Sequence, residues 1–225
     1  DARFENGAFI DDSELFKVEY SLNYIKEQNW NAVWESAFEP VIVDNKCTVK
    51  ASFHKGLPRT KYTIKIDPKM AFGTGHHQTT SLMIGMMLEM EKEIKGLNVL
   101  DMGCGTGILS ILAAKMKAAI PVHAIDIDQT AVYSALENNY KNRVADKVKT
   151  LCGDASLLQS GKYDLILANI NRNILLEDMS TYVRSMRPGG TLIVSGFYEE
   201  DIIMLRTQAQ KCGLTYICHK TKEKW

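Results

Sequence analysis

Residues Leu97 to Asp126 read LNVLDMGCGTGILSILAAKMKAAIPVHAID. An apolar run (Leu97, Val99, Leu100, Met102) stops at Gly103, Gly105 and Gly107, and a helical pattern of Ile108, Leu109, Ile111, Leu112 and Met116 starts at once. That order is strand, tight turn, helix. A second apolar strand, Val122 to Ile125, ends on Asp126, 23 residues after the first glycine. The spacing fits a nucleotide-binding βαβ unit, whose acidic residue at the tip of the second strand accepts hydrogen bonds from ribose hydroxyls. Glycines in the turn let the backbone approach a ligand that a Cβ would push away.

The neighbours of these glycines separate one ligand from another. A dinucleotide fingerprint places its third glycine at position 108, where helix and strand close around a pyrophosphate, and position 108 here is Ile. Asp101 stands two residues before Gly103, at the end of the strand. Its carboxylate would repel a diphosphate and attract a ligand bearing an ammonium and a sulfonium. S-adenosylmethionine is such a ligand, with a ribose diol left for Asp126. A NAD-dependent oxidoreductase is opposed by both Ile108 and Asp101. A second reading of Asp101 stays open, in which it caps the helix that starts near Gly105.

Working outward, β and α patterns alternate. Asp128 caps a helix through about Tyr140, Lys147 to Cys152 forms a strand ended by Gly153 and Asp154, and Tyr163 to Ala168 forms another, ending at Asn169. A helix over about Asn173 to Met186, a turn at Arg187 to Gly190, a strand at Thr191 to Ser195, a helix to about Cys212 and a strand at Leu214 to His219 follow. This alternation predicts an α/β, doubly wound, mostly parallel sheet with its ligand at the carboxyl ends of the strands. Asp154 at a strand tip could accept a hydrogen bond from an adenine amine or simply cap its own loop.

Upstream, Val41 to Val43 and Thr48 to Phe53, separated by Asp44 and Asn45, with a third run at Tyr62 to Ile66, read as a small antiparallel sheet. Phe72 to His77 is a loop with glycines on both sides of Thr74, and Thr79 and Thr80 open a helix. Met83, Met86, Met87 and Met90 recur along it at helical spacing, a stripe that reads as core packing. His76 and His77 are adjacent, so they do not share a face, and with no third ligand evident the sequence implies no metal. Trp30 to Phe38 places Trp30, Val33, Trp34 and Ala37 on one helical face, and Asp1 to about Asn29 is too short and mixed to close a core of its own.

A length of 225 residues suits one catalytic domain with a small appendage. The formal net charge is zero, with 45% apolar residues, so no overall basic field exists to hold nucleic acid and a protein or small-molecule substrate is favoured. No apolar run approaches the ~18 residues that span a bilayer, and the expectation is a cytoplasmic protein without membrane contact. The five cysteines are scattered, giving neither a disulfide framework nor a zinc site. Cys104, inside the glycine turn, reads as a small turn residue rather than a nucleophile.

DMGCGTG at Asp101 to Gly107 resembles the first motif of class I methyltransferases. DPKMAFGTGHHQTT at Asp67 to Thr80 is similar to the signature of the bacterial enzymes that methylate ribosomal large-subunit protein 11. NWNAVW at Asn29 to Trp34 resembles that family's linker, and ANI at Ala168 to Ile170 its amine-site motif. The resemblance implies a seven-stranded-type class I sheet over 67–225, preceded over 1–66 by the α+β remnant of a substrate-recognition domain and its linker. It implies S-adenosylmethionine as cofactor, bound by Thr80, Gly103, Gly105, Asp126, Asp154 and Asn169, with a mobile loop covering it. The implied substrate is a lysine or amino-terminal amine of protein 11; the sequence leaves the oligomeric state open, with a monomer favoured. Asn171, Arg172 and Asn173 depart from the small apolar residues of many relatives.

An amine nucleophile must first lose its proton. For a lysine of pKa ~10.4 this costs about 4.6 kcal/mol at pH 7, and for an amino terminus near ~8 about 1.4 kcal/mol. A carboxylate beside the amine would hold the proton on. A neutral amide such as Asn169 orients the N–H bonds with less of that penalty, so Asn169 is expected to orient the nucleophile or lie against the cofactor, proximity supplying most of the catalysis.

Overall fold

The computed structural model describes residues 39–66 and 78–225, together with three short strands between residues 3 and 19. Those strands, β1 (Arg3–Glu5), β2 (Ala8–Ile10) and β3 (Val18–Glu19), form an antiparallel sheet in the order β1-β2-β3. They lie in one compact unit, Asp1–Ala37, and everything else in a second, Phe38–Trp225. The tryptophan motif at residues 29–34 and most of the AFGTG signature, residues 67–77, lie outside the described residues.

In the second unit β4 (Val41–Val43) turns into β5 (Cys47–Lys50) through Asp44 and Asn45, both at positive φ of about 50°. Asp and Asn tolerate that conformation, and two successive positive φ values match the twist of a hairpin, closed here by Lys46 N–H donating to Val43 O at 3.0 Å. The third strand, β6 (Tyr62–Lys65), pairs with β5 in parallel, so the sheet is mixed and not antiparallel as expected. The segment between them does more than a hairpin loop: it returns the chain to the start of β5, held by Ala51 N–H to His54 Nδ1 at 3.0 Å and by Thr60 Oγ1 donating to Tyr62 O at 2.7 Å.

Helix α1 (Gln78–Glu89) and the short α2 (Glu91–Ile94) precede the main sheet. Met83 and Met87 of α1 are fully buried, and Met86 and Met90 pack against the same core, as the stripe implied. The chain then runs β7 (Val99–Met102), α3 (Ile108–Lys115), β8 (Val122–Asp126), α4 (Gln129–Lys141), β9 (Val148–Cys152), β10 (Tyr163–Asn169), α5 (Arg172–Ser185), β11 (Met186–Ser195) and α6 (Ile202–Lys211). The sheet order is β11-β10-β7-β8-β9, every neighbour parallel.

Side chains alternate across that sheet. Val99, Leu165 and Leu167 join the core formed with α1, α3 and β4 to β6, whereas Leu100, Ile166 and Ala168 join the one formed with α5 and α6. Covering both faces buries all of the central β7 and most of β10, while the edge strands β9 and β11 keep exposed positions. Each fully buried Leu or Ile stabilises by about 1.5–3 kcal/mol relative to exposure. The chain moves outward from β7 to β8 and β9, then crosses to β10 on the other side of β7. A crevice therefore opens beyond the carboxyl ends of β7, β8 and β10, which is where doubly wound sheets bind ligands.

The strand expected at Leu214 to His219 does not form, leaving five strands in this sheet among the described residues. Leu214 N–H is captured by Ala209 O at 2.9 Å, and the Arg206 guanidinium lies 4.1 Å from the centre of the Tyr216 ring. These contacts fold the segment onto the end of α6. Ile217, which a paired strand would cover, is 78% exposed.

Candidate functional site

The turn after β7 is built by its own backbone. Gly103 sits at φ 67°, and a Cβ there would overlap Ile170 Cγ2, so only glycine lets β7 and the end of β10 approach. Gly107, at φ 81°, caps α3 and lies where a Cβ would come within 3.3 Å of Ala135 on α4.

The turn's amides are consumed internally. Gly103 N–H and Cys104 N–H both donate to Ile125 O, at 2.8 and 3.0 Å, and Gly107 N–H donates to Cys104 O at 2.8 Å. Gly105 N–H donates to Asp126 Oδ2 at 2.8 Å. A phosphate-binding loop does the opposite, presenting such N–H groups to the anion. This turn has the shape of a nucleotide turn but commits those four donors elsewhere.

Two carboxylates border it. Asp101 is 1% exposed, and its Oδ2 accepts from Ser110 N–H in the first turn of α3 at 2.8 Å. The capping reading of Asp101 is thus realised, with the helix beginning at Ile108. Loss of water raises the Asp101 pKa to about 7 against the pull of the Ser110 hydrogen bonds, and the nearby charge of Asp126 adds to the rise. Asp126, at the tip of β8, also accepts from Asp128 N–H through Oδ1 at 2.9 Å. Each of its oxygens keeps a second lone pair for a hydroxyl.

Thr80 and Asn169 meet. Thr80 is buried in α1, and Asn169 Nδ2 at the end of β10 donates to Thr80 Oγ1 at 3.2 Å, joining two segments 89 residues apart. Asp154 follows β9, whose end lies beside β8: Cys152 pairs with Asp126, and Gly153 N–H donates to Asp126 O at 2.9 Å. Asp154 Oδ1 accepts from Ser156 N–H at 2.8 Å, and the Ser156 hydrogen bonds hold this exposed carboxyl below its usual range. Next to Asn169, Asn171 caps α5 by accepting from Asn173 and Ile174 N–H at 3.1 and 3.2 Å. Arg172 pairs with Asp201 at 2.6 Å, which accounts for polar residues at these positions.

Burial lifts the Cys104 thiol well above its ordinary pKa, so it holds its proton and is no nucleophile. Among the described residues no group of His, Cys, Asp and Glu could hold a metal ion; His76 and His77 lie outside them. No helix among those residues is long and apolar enough to cross a membrane. Ile170, singled out in the sequence only as the end of the ANI motif, packs against Gly103 and Gly196, and sequence reasoning passed over two contributors: Ser195, paired with Asn169 in the sheet, and Asn138, which holds the Thr106 carbonyl at 3.0 Å. Three asparagines at positions 138, 139 and 142, on the helix face that otherwise carries Ala131, Val132 and Ala135, were the available signal.

Comparison with known proteins adds an independent line. Residues 5–225 match the family described as Ribosomal protein L11 methyltransferase (PrmA). The Ribosomal protein L11 methyltransferase of Bacteroides thetaiotaomicron is 48% identical over 211 residues, spanning 93% of this chain and 74% of that protein. The one from Porphyromonas gingivalis is 48% identical over 209 residues, 92% of this chain and 71% of that protein. Among solved structures, a ribosomal protein L11 methylase from Lactobacillus delbrueckii subsp. bulgaricus aligns with a TM-score of 0.75 at 28% identity, covering 84% of this chain and 95% of that one.

Proposed function

Because the chain belongs to the ribosomal protein L11 methyltransferase family, we infer that it moves methyl groups from S-adenosylmethionine to amines of ribosomal protein L11. The observation that carries the cofactor is the glycine turn with its amides already spent and two carboxylates beside it. Such a turn has little to offer a diphosphate and suits a cationic nucleoside. The residues fit that group: Asp126 would accept from the ribose hydroxyls, Gly103 and Gly105 would allow close approach, Thr80 and Asn169 would help hold the cofactor, and Asp154 would accept from the adenine amine. When bound, S-adenosylmethionine supplies an electrophilic methyl group on a positively charged sulfur.

The chain's own part is to hold and align the amine. Asn169 spends its Nδ2 on Thr80, which leaves Oδ1 to accept an N–H from the nucleophile and turn its lone pair toward the methyl carbon. An amide oxygen does this without the negative charge that would keep a lysine protonated. Expulsion of water from the crevice lowers the amine's pKa in the same direction. The substrate implies a cytoplasmic location, where ribosomes assemble.

Calorimetric titration tests the cofactor half of this reading. S-adenosylhomocysteine should bind with a single saturating isotherm, and NADH should give neither heat nor enhanced nicotinamide fluorescence. Saturation by NADH with no response to S-adenosylhomocysteine would overturn it.

A further inference from the structure

Helix α4 turns a row of amides toward the protein interior. Asn138 and Asn139 are each 1% exposed, and Asn142 is buried as well. Burying an amide is unfavourable unless its atoms find partners, so the partners reveal what each residue holds. Asn142 grips the backbone of β6, donating to Lys65 O at 2.7 Å and accepting from Lys65 N–H at 2.9 Å. Asn139 Nδ2 donates to Thr150 Oγ1 on β9 at 3.0 Å. Asn138 reaches elsewhere: its Nδ2 donates to the carbonyl of Thr106, between Gly105 and Gly107. Ala135, one turn earlier on the same helix, packs against Gly107.

The glycine turn is therefore gripped from two sides. Asp126 holds Gly105 N–H from the tip of β8, and α4 holds the next carbonyl. We propose that Asn138 is a positioning residue for the nucleoside, keeping the 103–107 turn in the conformation in which Asp126 serves both Gly105 and the ligand's ribose. The proposal rests on the cofactor reading given above. Without the amide, the Thr106 carbonyl loses the Asn138 hydrogen bond, and a turn with glycines at positive φ on both sides responds by rotating. Gly105 N–H rotates with it, and Asp126 loses its place. A residue that only stabilised the fold would lower the melting temperature and leave the affinity of the folded protein unchanged.

Asn138→Leu keeps the branched shape and heavy-atom count of the side chain and removes the donor. Tyr62→Phe serves as the comparison, since it removes a hydrogen bond of 2.7 Å to Glu91 outside the site. Both are read by melting temperature, by calorimetric affinity for S-adenosylhomocysteine, and by hydrogen exchange over residues 103–112 without ligand. The expected result is an affinity weakened about tenfold in Asn138→Leu, with faster exchange across the turn, and no change in either for Tyr62→Phe. An affinity within about twofold of the parent protein, or a loss reproduced by Tyr62→Phe at equal melting temperature, overturns the proposal. Should Asn138→Leu not fold, Asn138→Ala decides by the same readings. Exchange needs no ligand, so a parent protein that ignores S-adenosylhomocysteine refutes the cofactor reading while the exchange data still report whether Asn138 holds the turn.

Discussion

Asn169 ties the end of β10 to the start of α1, since its amide nitrogen donates to Thr80 Oγ1, and in the proposed mechanism its oxygen would accept from the substrate amine. Asn169→Ala should lower turnover on the order of 100-fold at saturating cofactor, because a misaligned nucleophile loses proximity, while calorimetric affinity for S-adenosylhomocysteine stays nearly unchanged. Equal loss in both would make it a cofactor ligand. Asp101 makes a prediction about pH. Its folded pKa of about 7 lies above the ordinary 3.8, so between these values the folded protein keeps a proton that the unfolded chain has released. Stability from this group is full at low pH and falls as pH rises through that window. Asp101→Asn keeps the acceptor for Ser110 N–H and abolishes the titration, so the variant should gain on the parent protein in thermal melts as pH rises from about 4 to about 8. Parallel curves would show that Asp101 does not titrate there. Asp101 was legible in the sequence as a strand-end carboxylate, but its burial against α3 was not, because that requires knowing which face of β7 the helix covers.

Elements meet at two fitted places. Gly103 and Ile170 join the ends of β7 and β10, and a methyl group at position 103 would both strain a positive φ and strike Ile170. Gly103→Ala should cost about 2–4 kcal/mol, and adding Ile170→Ala should recover part of it, since the overlap falls on that side chain. Denaturant titration of the two single variants and the double checks this; strictly additive losses would mean that backbone strain alone is at work. The second place joins the start of α5 to the start of α6. Arg172→Ala leaves the largely buried Asp201 carboxylate without its cation, at a cost of about 1–2 kcal/mol and a drop of roughly 2–8 °C in melting temperature. Helices and strands of the main sheet were readable because their periodicity is local. The parallel partner of β5 was not, since pairing depends on where an eleven-residue connection returns. Leu214 to His219 misled for a related reason: its alternation suits a strand, yet Ala209 and Arg206 draw it away from the sheet.

At the scale of the unit Phe38–Trp225, two cores sandwich a parallel sheet whose strand order reverses beside β7, so that Gly103, Asp126, Asp154 and Asn169 stand at or just beyond the carboxyl ends of its strands, with Thr80 hydrogen-bonded to Asn169. The doubly wound fold and the positions of Gly103, Gly105, Asp126 and Asn169 were legible, because strand-tip residues announce themselves by interrupting apolar runs. What escaped was the use of the backbone: nothing in GCGTG says that its amides turn inward, or that an asparagine some thirty residues on secures its carbonyl. That inward turn is the structural observation on which the proposed preference for a methyl donor over a dinucleotide rests, beside membership of the family. The most direct test is the intact mass of unmodified ribosomal protein L11 after incubation with the full-length protein and S-adenosylmethionine. The account requires increments of whole methyl groups, mapped by fragmentation to lysine or amino-terminal nitrogens and formed on the order of 100-fold more slowly with Asn169→Ala; an unchanged mass with the parent protein, at concentrations where S-adenosylhomocysteine saturates it, would contradict the account.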